Sequence, residues 1–495
     1  MTSPAMPQFA PASRRSWLAL AVVLGGMFMA LIDATIVNVA LPSIRTSLDA
    51  SESTLSWIIS GYALTFGLAL IPAGRLGDRY GHKWIYIIGL VLFTAASAYC
   101  GFAQNDFDIV VGRVLQGLAG GIYVPAVAAF IQLLFQGRER GKAFAIMGSV
   151  IGISSALGVI SGGLIIEAFG AAEGWRWVFF VNLPIGLIVA FFAVRLLPGG
   201  DAHADKTNRI DWLGVVILSA SLTAILLPLI QGQQEGWPAW TWWTMAAGAL
   251  GVVVFGAWQV LFTRRGGSAL VPPKLFVHAS FSLGTVLALV YFAGFTSIFF
   301  TLSLFWQAGL GHTALESGFL TLPFAIGTAV FSSQSSKWAA KIGRSVLVIG
   351  AALMVVGLGG IWIVMNNVAI ADLNNWMFLP FLLIAGAGNG CFLAPNVQFI
   401  VATVENSEAG AASGVVQTMQ RMGTAIGVAV VGSIIFSAIH KDQIHGPADV
   451  AKQFSTGATG GMLMAVIMVA AALLLVFALP RRIQLHGAPL APAAE

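Results

Sequence analysis

Charge is what this chain has least of. Asp, Glu, Lys and Arg make up only 9% of its 495 residues, against about 25% in a typical soluble domain. That is too little charge to solvate a globular surface of this size, which excludes a water-soluble fold. Cysteine is nearly absent: Cys100 and Cys391 both fall in apolar stretches, and two such thiols make neither a disulfide framework nor a metal cluster. The seven histidines are scattered, without the close spacing of metal ligands. No G-x-x-x-x-G-K-S/T phosphate loop is present, which argues against a nucleotide-driven pump. No Ser, His or Cys constellation of an enzyme appears. The net charge of +5 is spread through short loops, not gathered on one face as a nucleic-acid footprint would be. Composition therefore calls for no cofactor, no metal and no nucleic acid.

Apolar residues are what remains. They make up 58% of the chain, and the mean hydropathy is +0.86. A spanning helix needs about 20 mostly apolar residues. Fourteen segments qualify: 17–43, 54–74, 84–103, 107–135, 142–169, 176–197, 211–231, 240–262, 280–309, 315–336, 345–366, 376–403, 409–438 and 458–479. The first is too long for a signal-peptide core and lacks a cleavage site, so it reads as an uncleaved span. The fold class is all-α integral membrane. With the N-terminus inside, 19 of the 25 Lys and Arg fall on the cytoplasmic side, 4 fall outside, and Arg113 and Arg421 stay within spans. The positive-inside rule asks for such asymmetry. Trp175, Trp177, Trp237, Trp240, Trp242 and Trp243 gather near outer span ends, as an aromatic belt does. A multi-pass protein of the cytoplasmic membrane follows, with both termini inside.

Between the second and third spans lies Gly74-Arg75-Leu76-Gly77-Asp78-Arg79-Tyr80-Gly81-His82-Lys83. Its glycines permit a tight reversal. The turn resembles the signature loop of the major facilitator superfamily, G-x-L-x-D-R-x-G-R/K-K/R, with His82 where Arg or Lys is usual. Residues 336–343 repeat it without the acid: Gly343 aligns with Gly81, Lys341 with Arg79 and Ala340 with Asp78. Ala156-Leu157-Gly158-Val159 is echoed by Ala425-Ile426-Gly427-Val428. These echoes suggest two six-helix halves related as parallel repeats, residues 1–200 and 276–485. A two-helix insert, 201–275, separates them, and a tail, 486–495, follows. Six, two and six spans resemble the 14-helix drug:proton antiporter branch of that superfamily.

Further motifs carry the same resemblance. Leu31-Ile32-Asp33-Ala34-Thr35-Ile36-Val37-Asn38-Val39-Ala40-Leu41-Pro42 resembles the branch's first-helix signature. Arg113-Val114-Leu115-Gln116-Gly117 resembles the fourth-helix motif, and Gly158, Gly162 and Gly163 fit the antiporter glycine motif, although Val159 replaces its proline. The resemblance implies a proton-coupled exporter of amphipathic small molecules, working by alternating access as a monomer in membrane lipid. Asp33 is the deepest acid in the chain. A carboxylate within a span is costly when ionised, which suits it to bind and release a proton. Arg113 reaches a similar depth, so the two are either a coupling pair or a static ion pair. Gly74, Asp78, Arg79, Gly81, Lys83, Gly158, Gly162 and Gly163 are the candidate conformational gate, with the last three packing the halves together. Polar and aromatic residues of central spans are the candidate substrate contacts: Trp57, Tyr62, Gln116, Tyr123, Phe295, Asn389, Asn396, Gln417 and Arg421. Arg421 either faces a cavity or caps helix carbonyls. A dedicated exporter of a native product such as a lipid, siderophore or antibiotic, and an uncoupled uniporter, are the alternatives.

The loop charges make a topological prediction. Reporter fusions at either terminus should report a cytoplasmic location. An external C-terminus would remove one span from the count.

Overall fold

The computed structural model describes residues 13–199, 211–267, 269–401, 404–405, 408–439 and 446–480. The proposed tail 486–495, residues 201–210 of the insert, and the charges Lys206, Arg209, Lys441, Arg481 and Arg482 lie outside the described residues.

The chain is a bundle of helices: α1 (Arg14–Leu48), α2 (Glu52–Tyr80), α3 (His82–Gly101), α4 (Asp106–Leu134), α5 (Gly137–Phe180), α6 (Asn182–Leu196), α7 (Trp212–Glu235), α8 (Ala239–Arg264), α9 (Ala279–Leu304), α10 (Ala314–Leu320), α11 (Leu322–Ile342), α12 (Ser345–Asn367), α13 (Asn375–Val401), α14 (Ala409–Ser437) and α15 (Pro447–Val476). Among the described residues, twelve helices are long and apolar enough to cross a membrane. The fifth and tenth expected segments are helical too, but fall outside that set.

Several expected limits shift for local reasons. The first helix does not stop near Pro42 but runs on to Leu48, where Asp49 ends it in a left-handed cap. The fifth and sixth expected spans are joined in α5 across a kink at Gly170, whose φ of 80° only glycine adopts freely. The tenth is split at Thr321 into α10 and α11. The last starts at Pro447 rather than near 458, with proline in the first turn where its missing N–H costs nothing.

Two halves, each with its own core, make the bundle. In the first, Tyr86, Phe93 and Phe130 are buried around Tyr123, and Tyr86 meets Tyr123 edge-on. In the second, Tyr291 stacks on Phe392 at 3.7 Å. The repeat legible in the sequence recurs in the backbone. The turn from α2 to α3 passes through Gly81 at φ 94°, and the turn from α11 to α12 passes through Gly343 at φ 57°. The halves meet through α2 against α14 and α5 against α11, pairs that the repeat exchanges. The hairpin of α7 and α8 docks through α7 on α2 and α14. It leaves Trp243 and Val253 of α8 exposed, on a face suited to lipid.

Lipid tails are as apolar as leucine, so close backbone packing holds such helices together. At the crossing of α12 and α13, a Cβ on Gly388 would lie 2.6 Å from the Gly350 carbonyl oxygen. Gly388→Leu should therefore force the crossing apart, at a cost of about 1–3 kcal/mol. Thermal unfolding of the detergent-solubilised protein should show a lower midpoint. An unchanged midpoint would mean that this contact does not hold the second half together.

Candidate functional site

The deepest polar cluster is built by four helices of the first half. Asp33 of α1 is fully buried, as are Arg113 and Gln116 of α4, Ser97 of α3 and Asn182 of α6. Arg113 and Gln116 are three residues apart and share one helix face. Arg113 Nη1 donates to Asp33 Oδ2 at 2.7 Å and to Gln116 Oε1 at 2.8 Å. Asp33 Oδ1 accepts from Asn182 Nδ2 at 2.8 Å and from Gln116 Nε2 at 3.1 Å. Ser97 Oγ accepts from Gln116 Nε2 at 2.6 Å. Arg113 Nε donates to the Ile58 carbonyl of α2 at 3.0 Å, and the guanidinium lies 4.1 Å from the centre of the Tyr62 ring. Both carboxylate oxygens are thus met by donors of the protein, as burial of a polar group requires. Because α1 extends to Leu48 and not only to Pro42, Asp33 lies about 22 Å from the end of its helix.

A second cluster closes one end of the bundle, where the last turns of α2 meet the start of α14. Asp78 Oδ1 accepts the Gly410 N–H at 2.9 Å and Oδ2 accepts the Ala411 N–H at 3.0 Å. A carboxylate placed there satisfies two orphan donors and complements the helix dipole. Gly74 makes this approach possible: a Cβ there would collide with the Gly410 carbonyl. His82 Nε2 is 3.3 Å from Asp78, so the residue that departs from the usual pattern sits against the acid. Arg75 donates to the carbonyls of Leu270 and Ala269, fastening the segment that follows α8. The Gln259 side chain of α8 accepts the Val271 N–H of that segment and donates to Asp211, the N-cap of α7. Lys274 pairs with Glu405 at 3.2 Å and Glu408 at 3.3 Å, just ahead of α14. Burial pushes the Glu408 carboxyl up, against the pull of Lys274. The insert is thereby tied into the closed end.

Not every expected gate residue bridges the halves. Lys83 donates to the Val194 carbonyl near the end of α6, and Arg79 lies over the Tyr80 ring; both contacts stay in the first half. Gly158 and Gly162 back onto Thr35 and Ile36 of α1, so they pack α5 within one half rather than joining the two. Gly163 is half-buried on the same helix. Across the interface, α5 instead presents Gly148 and Gly152 to Ser332 and Thr328 of α11.

A cavity lies between the halves, with about 500 Å³ of empty space including its open side. Met27, Val124, Val127, Ala128, Met147 and Ile151 line it from α1, α4 and α5. Leu393, Val397 and Val401 of α13, with Ser413, Val416, Gln417 and Gln420 of α14, complete it. The polar lining is confined to α14, and no ionisable group is part of it. Of the expected substrate contacts, only Gln417 lines this space.

The others are not part of this lining, and several have their polar atoms engaged or their rings in the core. Tyr62 donates to the Ala30 carbonyl, Tyr123 to that of Gly26, and Gln116 belongs to the Asp33 cluster. Asn389 accepts from Tyr291, and Phe295 packs against Phe299 and Phe324. Trp57 is half-buried on α2 and away from the lining. Asn396 is buried, with its Oδ1 lacking a hydrogen-bond partner among the described residues. Arg421 caps no carbonyl among the described residues; its guanidinium lies 4.2 Å from the centre of the Phe66 ring.

The sequence reading missed the apolar wall, because a Met or Val lining a cavity reads the same as one in a core. It did not place Asn182 or Ser97 beside Asp33, since an amide and a serine in apolar runs do not show which neighbour they meet.

Comparison with known proteins gives a concordant result. The Major Facilitator Superfamily profile matches residues 23–296 and again 284–491. The probable actinorhodin transporter of Streptomyces coelicolor is 35% identical over 437 residues, covering 87% of this chain and 74% of that protein. The tetracenomycin C resistance and export protein of Streptomyces glaucescens is 31% identical, covering 86% of this chain and 77% of its own. Among solved structures, the proton:xylose symporter XylE bound to 6-bromo-6-deoxy-D-glucose superposes with a TM-score of 0.65 at 14% identity, covering 94% of this chain and 96% of its own. At that identity it speaks for the fold alone. The chain belongs to the Major Facilitator Superfamily, as a multi-pass membrane transporter of its antibiotic and multidrug export branch.

Proposed function

We propose that the protein exports amphipathic small molecules in exchange for protons, by alternating access. The observation that carries this reading is the cavity between the halves, apolar on most sides and lined with amides on α14. Such a lining suits molecules with a large apolar body and a few polar groups. Relatives named for export of tetracenomycin C and cephamycin, and for transport of actinorhodin, support small-molecule export as the direction. A dedicated exporter of one such native product is the neighbouring reading, favoured by the same names.

Asp33 is the proposed proton carrier. It is the one acid at the core of the membrane-embedded cluster, and its hydrogen-bond partners come from α4 and α6. Taking a proton removes the charge that Arg113, Gln116 and Asn182 are arranged around, which loosens the cluster. Moving α1 against α4 and α6 would expose the acid to one side, then the other. The contact of Asp78 with α14 is the proposed clasp of the closed state, at what the loop charges read as the cytoplasmic end. The chain acts as a monomer with both termini in the cytoplasm.

Three outcomes follow. In everted vesicles, wild-type transport should collapse when a protonophore is added; uptake indifferent to it would leave a uniporter. Asp33→Asn keeps the shape but cannot ionise, so it should abolish accumulation driven by an imposed pH gradient while substrate exchange down its own gradient survives. Full gradient-driven accumulation by this variant would make Asp33 structural. Asp78→Asn removes the charge that meets the start of α14, a loss of about 0.5–2 kcal/mol from the closed state. It should slow transport strongly in a protein that still purifies as a single folded species. Normal rates would reduce the loop to a topological anchor.

A further inference from the structure

The interior charges do not balance. Two guanidiniums lie at depth, Arg113 and Arg421, against one acid, Asp33. Asp33 is fully occupied by Arg113, Gln116 and Asn182. Two aromatic rings separate that cluster from Arg421. Arg113 stacks on Tyr62 at 4.1 Å, Tyr62 and Phe66 are 5.8 Å apart, and Arg421 lies on Phe66 at 4.2 Å. Arg421 has no carboxylate within ion-pair distance and no hydrogen-bond acceptor among the described residues. Arginine does not shed its proton in a protein, and a ring face offsets only part of the cost of a charge in a span.

Position gives this unmatched charge a use. Ser413, Gln417 and Gln420 line the cavity from α14. Arg421 is one turn beyond Gln417, rotated by about 40° from it, and it is partly exposed. Along α14 the polar residues that line the cavity are thus followed directly by a guanidinium, while Met27, Val124, Val127 and Met147 form the apolar wall. No carboxylate lines the cavity to receive a cation.

We infer that Arg421 is an anion-recognition residue at the edge of the cavity, and that the ligands it selects are amphiphiles bearing one carboxylate, sulfonate or ionised phenol. The apolar body lies against the valine and methionine wall, the amides of Gln417 and Gln420 meet neutral polar groups, and the acid takes the planar fork of Arg421 in paired hydrogen bonds. Cations are disfavoured by the same charge. This rests on the exporter reading for the ligand's route, but not for its binding.

The test uses two fluorescent probes that share one scaffold: 8-anilinonaphthalene-1-sulfonate and the uncharged N-phenyl-1-naphthylamine. Binding is titrated on the full chain in lipid nanodiscs, with empty nanodiscs subtracted. Arg421→Gln should weaken the sulfonate by about ten-fold or more, the size of a lost charge-assisted hydrogen bond, and leave the neutral probe within about three-fold. Arg421→Lys, which keeps the charge but not the fork, should fall between. If Arg421→Gln does not fold, the lysine variant decides by the same comparison of probes. Equal effects on both probes, or none on the sulfonate, would overturn the assignment. Protonophore-sensitive transport of the neutral probe by wild-type vesicles is read separately. Its absence counts against the exporter reading, while the binding difference still decides Arg421.

Discussion

A carboxylate cannot sit in the middle of an apolar bundle unless something meets both of its oxygens. Asp33 imposes that condition on the first half. Its solution takes a guanidinium and an amide from α4, an amide from α6, and a hydroxyl from α3 behind them. Removing water from two charges costs more than their attraction reliably returns, so this cluster is poor insurance for stability. What it supplies is registry: four helices must stand at one relative height for the hydrogen bonds to close. Anything that changes the charge of Asp33 changes how those helices fit.

The halves are repeats, but they are not held together equally. On one side, Asp78 meets the start of α14 through two charge-assisted hydrogen bonds. On the other, where the repeat places Ala340, α5 and α11 are joined by neutral bonds: Ser332 to the Ala145 carbonyl and Ser149 to that of Ala329. One interface therefore depends on an acid and a helix dipole, and its counterpart on small-residue packing. The insert reinforces the charged side, because Arg75 grips the segment leading out of α8 and Lys274 reaches the acids ahead of α14.

Much of this was legible in the sequence. Glycine, Asp and basic residues in a short turn between two apolar runs leave few alternatives, and an acid within a span has to be paired. The face of each helix was not legible. In water an apolar stripe marks the buried side, but a helix bounded by lipid is apolar all round. Tyr62, Tyr123, Phe295 and Asn389 therefore looked like ligand contacts, and in the structure they make packing contacts or internal hydrogen bonds away from the cavity lining. Gly158 and Gly162 were right as close-packing residues and misassigned in partner, since periodicity alone does not say which neighbour a small face meets. The wall of the cavity, made of Met, Val and Leu, carries no signal that separates it from a core.

The central claim is that the two halves rock about the cavity, with the Asp78 end shut in the state described. Distances between spin labels read this directly. One pair at Lys142 and Lys337 spans the closed end, and a second pair at Glu173 and Trp376 spans the opposite end, all four being exposed positions. Measured in nanodiscs across a range of pH, the account predicts reciprocal change: as the first pair lengthens, the second shortens. Distances at both ends that stay fixed, or lengthen together, would contradict it.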